Sequence, residues 1–392
     1  MAPNEMASIG EVEEKRRLGL IVNPIAGMGG RVGLKGTDSM EIVREAVRLG
    51  GVPESPGRAI TALRQLFTAA GDGIELLAAP GRMGEDEAIE SGFRPIAIGV
   101  AGGGDSTGET SASDTRRAAE AMVAAGVDLI LFAGGDGTAR DIYSAVGDAV
   151  PVVGIPAGVK MHSAVYATNP RAAANLVEKF LANPDLPLRE LEVMDIDEDA
   201  FRQGSVSASL YGYMRVPYER HLIQGAKSGS EPSDESAAMA VAREMARRVT
   251  PGHLYVLGPG TTLRGIGREL GVEKTLLGVD LYKDGEIIAR DVTAAQVARA
   301  VGDNEGHTSI VVTPIGGQGH IFGRGNQQIS PSVIREAGKD AIVVVATTNK
   351  LAALRGRPLL VDTGDPEVDD MLSGYIRVVT GINMESVYRV SA

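Results

Sequence analysis

The 392-residue chain contains no cysteine and no tryptophan, and aromatic residues make up only 4% of it. Without cysteine there can be no disulfides, thiolate metal sites, iron–sulfur clusters or thiol nucleophiles. Few aromatics argue against a stacking platform for single-stranded nucleic acid. Basic residues are the minority, 39 against 51 acidic ones, for a net charge of −12. That balance argues against a nucleic-acid binder held by phosphate contacts. It leaves room for anionic small molecules, because a local site on an acidic protein can be positive. Long apolar runs are missing as well. The longest, at 127–133 and 341–346, are strand-sized and fall short of the ~20 residues that span a bilayer. Residues 1–17 are polar and mixed in charge, with no apolar h-region. The expectation is a cytoplasmic protein with no membrane or nucleic-acid partner.

Glycine is in excess, 51 of 392 residues, nearly twice the usual ~7%. The glycines sit where short apolar runs end. Strand signals at 18–22, 74–78, 95–100, 127–133 and 151–155 alternate with helical spacing at 60–70, 115–125 (Asp114 as N-cap) and 139–146. This is the signature of a parallel sheet with helices on both faces. Asn169-Pro170 opens a further helix, with Asn as cap. The Pro-rich stretch 183–187 divides a polar tail (1–17) and an α/β domain (18–185) from a second α/β domain (186–392). The second domain has strand or hairpin signals at 190–196 and 204–213, a Gly/Ser/Glu-rich loop at 225–236 and a helix at 237–249. Strands follow at 254–257, 276–281, 309–313 and 341–346.

In open parallel sheets ligands bind beyond the carboxyl ends of the strands. Five glycine-rich loops fall there, at Gly27, Gly102, Gly134, Gly258 and Gly316. Glycine lets backbone N–H groups approach a ligand, and a following helix adds its N-terminal partial charge. Together they suit phosphate. The sharpest loop is Gly134-Gly135-Asp136-Gly137-Thr138. Its glycines leave room for a polyphosphate, Asp136 can hold Mg²⁺ or take a proton from a hydroxyl, and Thr138 offers a hydroxyl and a helix cap. No Walker A motif is present. The dinucleotide fingerprint fails too, because Val32 stands where its third glycine belongs.

The Gly134–Thr138 loop, after an apolar strand and before Ala139-Arg140-Asp141, resembles the ATP-NAD kinase superfamily. That superfamily includes diacylglycerol and sphingosine kinases. Asn23-Pro24-x-Ala26-Gly27-x-Gly29-Gly30 is similar to its first-strand loop. Other stretches resemble the branch named after the acetoin-catabolism protein AcoX: Gly33-Leu34-Lys35-Gly36-Thr37-Asp38, Pro156 to Ser163, Met194-Asp195-Ile196-Asp197 and Gly323 to Gln328. The resemblance implies a two-domain α/β NAD-kinase-like architecture, with a Rossmann-like parallel sheet, a mixed α/β C-terminal domain and an interdomain cleft. It implies phosphoryl transfer from ATP with Mg²⁺, or from polyphosphate, to a hydroxyl; in NAD kinases that is the adenosine 2′-hydroxyl of NAD(H). Asp136 would then be base or hydroxyl orienter.

Further candidates for nucleotide or phosphate contact are Asn23, Gly27, Gly29, Gly30, Lys35, Lys160, His162, Gly258, Gly260, Thr261, Thr262, Gly317, Gly319 and Asn326. Arg140, Asp141 and Asp195 are candidate acceptor contacts, and Asp38 a second metal ligand. Several have plain alternatives. Asn23-Pro24 is a turn start, Asp38 and Asn169 can cap helices, and Lys35 and Lys160 can be solvated. The Asn-Glu/Asp pair with which ordinary NAD kinases hold the dinucleotide has no clear equivalent, so transfer to another small alcohol, polyol, acetoin-like diol or nucleoside is the rival reading. A nucleotide-binding sensor and a dinucleotide-dependent oxidoreductase are the others. Small-molecule nucleotides are the expected partners, and a homo-oligomer (dimer or tetramer) the expected assembly.

Overall fold

The computed structural model describes residues 15–34, 40–99, 110–158, 161–183, 185–196, 208–219, 221–223, 235–304 and 306–392. Its first sheet has five parallel strands, β1 (Arg16–Val22), β2 (Ile74–Ala78), β3 (Ile96–Ala97), β4 (Leu129–Gly134) and β5 (Val152–Pro156). Their order is β3-β2-β1-β4-β5. Six helices accompany them: α1 (Met40–Arg48), α2 (Ser55–Ala70), α3 (Glu85–Glu90), α4 (Ala112–Ala124), α5 (Asp136–Val146) and α6 (Pro170–Ala182). β4, β5 and β1 from Leu18 onward are apolar because helices bury both faces. Leu18, Leu20, Leu129, Leu131, Val152 and Val153 are all fully buried. Strand order reverses between β1 and β4, and such a switch opens a crevice at their carboxyl ends. The loops after Val22 and Gly134 therefore face each other.

Local capping differs from expectation at two helices. α4 begins earlier, capped by Ser111; Asp114 occupies the third helical position, where it accepts from the Ser111 amide (2.8 Å) and hydroxyl (2.7 Å). Serine followed three residues later by a carboxylate is a capping box, which outcompetes Asp114 alone. α5 begins at Asp136 with Gly135 as N-cap, so Thr138 lies inside the first turn and does not cap it. Asn169 caps α6 as expected, accepting from Ala172 N at 2.7 Å.

After α6 the chain forms an antiparallel ribbon, β6 (Leu188–Ile196) and β7 (Ala208–Pro217). Val193, Met214 and Val216 on it join the first core. Packing thus places the ribbon with the first domain, although the Pro-rich stretch at 183–187 precedes it. The second set of cores starts with α7 (Glu235–Arg248).

The second sheet has nine strands in the order β10-β9-β8-β11-β13-β15-β16-β14-β12. They are β8 (Leu254–Leu257), β9 (Asp280–Lys283), β10 (Glu286–Ala289), β11 (Thr308–Val312), β12 (His320–Phe322), β13 (Ile342–Val345), β14 (Leu359–Val361), β15 (Gly374–Gly381) and β16 (Met384–Ser391). β8, β11, β13 and β15 run parallel, and antiparallel pairs at β8/β9, β9/β10 and β15/β16 make the sheet mixed. Helices α8 (Thr261–Glu269), α9 (Ala294–Gly302), α10 (Pro331–Ala337), α11 (Thr348–Ala352) and α12 (Pro366–Leu372) complete the domain. The strand expected at 276–281 begins only at Asp280. That buried carboxylate accepts from Thr275 N, Thr275 Oγ1 and Asp291 N, which holds the preceding residues in a loop. Among the described residues no helix is long and apolar enough to cross a membrane.

Candidate active site

The crevice between β1 and β4 holds Asp136 at the first turn of α5. Its Oδ2 accepts from His162 N at 2.7 Å and its Oδ1 from Ser163 N at 3.0 Å. Both donors belong to the segment after β5, so two loops converge on one carboxylate. The His162 ring lies against it as well, with Nδ1 3.5 Å from Oδ2. Two charge-assisted bonds fix the direction of both oxygens. The Asp136 side chain is nearly buried, at 9% exposure, while a Cβ placed on Gly137 would meet nothing within 4 Å, so the backbone one residue on is open.

The other glycines of the loop serve packing. A Cβ on Gly134 would run into the Thr138 hydroxyl, and one on Gly135 would meet Gly158 Cα at 3.2 Å. Thr138 is buried, and its hydroxyl accepts from Asn23 Nδ2 at 3.0 Å. Asn23 Oδ1 in turn accepts from Ile25 N. Asn23 thus ties the first loop to the Asp136 loop, and its amide is engaged within the protein. Gly27 has φ +83°, and a Cβ there would strike the Ala157 carbonyl; Gly30 lies against Gln327. Gly29 offers its carbonyl to Leu34 N. The first glycine loop is therefore wedged between the domains, with Ala294 N donating to Arg31 O across the boundary.

The second domain carries two of the expected loops. Gly258 to Thr262 follows β8 and leads into α8, with Gly260 (φ 117°) as its N-cap. Thr261 is exposed and Thr262 buried. Lys350 Nζ, on α11, donates to Thr262 Oγ1 (3.3 Å) and Thr313 Oγ1 (3.0 Å), so an ammonium sits at the carboxyl ends of β8, β11 and β13. Sequence reasoning missed Lys350; its signal was the same strand-end position, after the apolar run 341–346. The other loop, at 316–325, is folded inward. Gly317 O accepts from Arg357, Gly319 O from Leu360 N, and the buried Asn326 donates to Ile321 O. Gly317, Gly319 and Asn326 hold this loop's own shape, because its buried side chains point into the domain boundary.

That boundary is polar. Arg58 on α2 makes a two-pronged contact with Asp362, at 2.8 and 2.6 Å. Arg324 lies 3.6 Å from the same carboxylate. Burial pushes the Asp362 carboxyl up against the pull of both arginines. Burial also lowers Arg324 to about 10, with Asp362 opposing. No local pattern could have joined Arg58 to Asp362 across 304 positions of sequence. A small polar cleft remains there, lined by Arg31, Arg58, Gly158, Gln327 and Thr363.

Of the remaining candidates, Asp141 is paired with Arg116 at 3.0 Å, and burial raises its carboxyl. Arg140 lies one residue before it on the half-buried first turns of α5. Asp195 lies on β6 opposite Ser209. Lys35, Asp38 and Lys160, with the loop at Gly102 and nearly all of the stretch 225–236, lie outside the described residues. Among the described residues no group of three or more acidic or histidine side chains could hold a metal ion.

Comparison with known proteins adds the family. The ATP-NAD kinase N-terminal domain model matches residues 18–185 and the ATP-NAD kinase C-terminal domain model residues 251–390. No curated protein matches the chain. A solved structure described as "a putative diacylglycerol kinase from Bacillus anthracis str. Sterne" is 17% identical, with TM-score 0.25. That match covers 47% of this chain and 46% of the other. A second structure of the same description is 16% identical with TM-score 0.25, over 48% and 47% of the two chains.

Proposed function

The chain belongs to the ATP-NAD kinase family, a family of phosphotransferases with alcohol acceptors, and on that premise we propose that it phosphorylates the adenosine 2′-hydroxyl of NAD or NADH. The donor in this reading is ATP with its Mg²⁺, or inorganic polyphosphate. The observation that carries it is the Asp136 carboxylate, aimed by two backbone amides next to the open backbone at Gly137, at the switch of the parallel sheet. A carboxylate so fixed can accept the proton of an attacking hydroxyl and hold it in line, which is most of what a protein contributes to phosphoryl transfer. Mg²⁺ would supply charge neutralisation on the donor's phosphates, and the Asp136 carboxylate is the side chain that would help to hold it.

Two anchors take the phosphates in this reading. One is the open backbone around Gly137 at the N-terminus of α5; the other is the Gly258–Thr262 loop with Lys350. A helix N-terminus and an ammonium neutralise phosphate charge without needing a positive protein. The AcoX branch belongs to the same reading on the sequence stretches that resemble it, and a homo-oligomer and a cytoplasmic setting go with it as further expectations.

The missing Asn-Glu/Asp pair favours a second reading, the same transfer to another small alcohol, polyol or nucleoside. One experiment separates them. Purified protein is given ATP or polyphosphate with Mg²⁺ and NAD or NADH, and products are read by mass spectrometry beside Asp136→Asn. A phosphorylated dinucleotide that vanishes with the substitution supports the first reading. ATP binding without that product supports the second.

A further inference from the structure

The two amides that hold Asp136 do not belong to its own loop. They lie on the strap 161–168, which follows β5 and meets the start of α5 at Gly135 and Asp136. Within the first domain the strap is fixed at its middle. Tyr166 OH donates to Gly135 O at 2.6 Å, Met194 N to Ser163 Oγ at 3.0 Å, and Ala164 N to Glu192 O at 2.8 Å. Both ends also meet the other domain, the Thr168 end in addition to its own first-domain bond from Thr168 N to Leu222 O at 2.9 Å. Gln318 Nε2 donates to Met161 O at 2.9 Å. Arg324 Nη2 donates to Thr168 O at 2.8 Å, and His320 Nε2 meets the same carbonyl at 3.2 Å. All three of these side chains are buried, at 3%, 3% and 1% exposure.

We propose that Gln318 and Arg324 are positioning residues: by pinning both ends of the strap they set the His162 and Ser163 amides, and through them the direction of the Asp136 carboxylate. The inference rests on the reading of Asp136 as the hydroxyl-orienting group. It makes the catalytic geometry of one domain depend on the docking of the other. Buried donors of this kind are costly to leave unmatched, so the bonds form only when the domains meet in one arrangement. Met161 is next to His162, so a shift of its carbonyl is a shift of the first amide on Asp136. A displacement of about 1 Å at a reacting group can cost about 100-fold in rate.

The test uses the full chain and two readouts. Hydrogen exchange at the His162 and Ser163 amides is measured in wild type, Gln318→Leu, Arg324→Met and Val344→Ala. The last variant removes methyls from the second core without removing a bond to the strap, and controls for loss of stability. Exchange about tenfold faster in the first two variants and unchanged in the control is expected. With MgATP and NAD, kcat should fall about 100-fold in Gln318→Leu while KM for both substrates stays within about threefold. Gln318→Glu adds a pH signature. Its protonated carboxyl can donate to Met161 O and its carboxylate cannot, so kcat relative to wild type should rise from about pH 8 to about pH 6. Unchanged exchange at both amides in Gln318→Leu and Arg324→Met overturns the proposal, whatever the acceptor is. Full activity in Asp136→Asn overturns instead the reading of Asp136, with the exchange result left to judge the strap.

Discussion

Glu87 offers a sharp test of how the first domain tolerates a buried charge. It lies on α3, just beyond β2, and is only 4% exposed. Its Oε2 has no hydrogen-bond partner. Burial pushes the carboxyl up from its ordinary 4.5 to about 7, with Asp86 adding to the rise and Arg82 and the Gly84 backbone opposing it. A carboxyl raised in the folded state contributes most below its unfolded value, and that contribution is lost as the pH rises through the folded one. With 4.5 unfolded and about 7 folded, the linkage relation gives a loss of roughly 1 kcal/mol at pH 5 and roughly 3 kcal/mol at pH 8. Glu87→Gln removes this pH-dependent loss. It also leaves amide hydrogens buried without acceptors, at a cost of about 1–3 kcal/mol at any pH. Urea unfolding at pH 5 and pH 8 reads the difference. The variant should gain about 2.5 kcal/mol relative to wild type between the two pH values. A ΔΔG that stays flat across that window would refute the reasoning, since it would mean that Glu87 carries no unusual charge cost.

Four other outcomes are expected. Asp136→Asn should lower turnover by about 100-fold or more while ATP binding, read by calorimetry, changes little; the isosteric amide no longer accepts a proton, and its Nδ2 faces one of the two backbone N–H donors that held the carboxylate. Gly134→Ala should destabilise the protein by about 1–3 kcal/mol in urea, because its methyl enters the Thr138 hydroxyl and parts it from Asn23. Arg58→Met should cost about 3 kcal/mol by leaving Asp362 with Arg324 alone; a loss under 1 kcal/mol would show that the contact adds little to domain docking. Lys350→Met should raise KM for the anionic donor about tenfold, the worth of one charge-assisted bond, with kcat nearly unchanged.

The strand, turn and helix start around Asp136 were legible in the sequence because one short segment contains all their parts. The Gly134–Thr138 loop reads as a site because an apolar strand, a glycine turn and a helix start follow one another, and hydrogen bonding in a parallel sheet makes that order a strand end. The cap at Asn169 was legible for the same reason, since donor and acceptor are three residues apart. Thr138 was misread as a cap, because whether a hydroxyl turns to its own helix or to Asn23 depends on a residue 115 positions away. The loop at 316–325 looked like another phosphate cradle. Glycine frees a backbone both for ligands and for tight packing, and composition cannot tell these uses apart.

By itself the sequence determined the periodic elements, the parallel first sheet and the loop that holds Asp136. These follow from local spacing, from apolar burial and from the N-terminal partial charge of a helix. Only the tertiary structure decided what aims the Asp136 carboxylate, what the first glycine loop packs against and how the domains meet. The His162 and Ser163 amides, the Asn23–Thr138 bond, the Arg58–Asp362 contact and the grip of Gln318 and Arg324 on the strap each join distant segments. Their partners are chosen by the packing of whole sheets, and no short-range pattern encodes that choice.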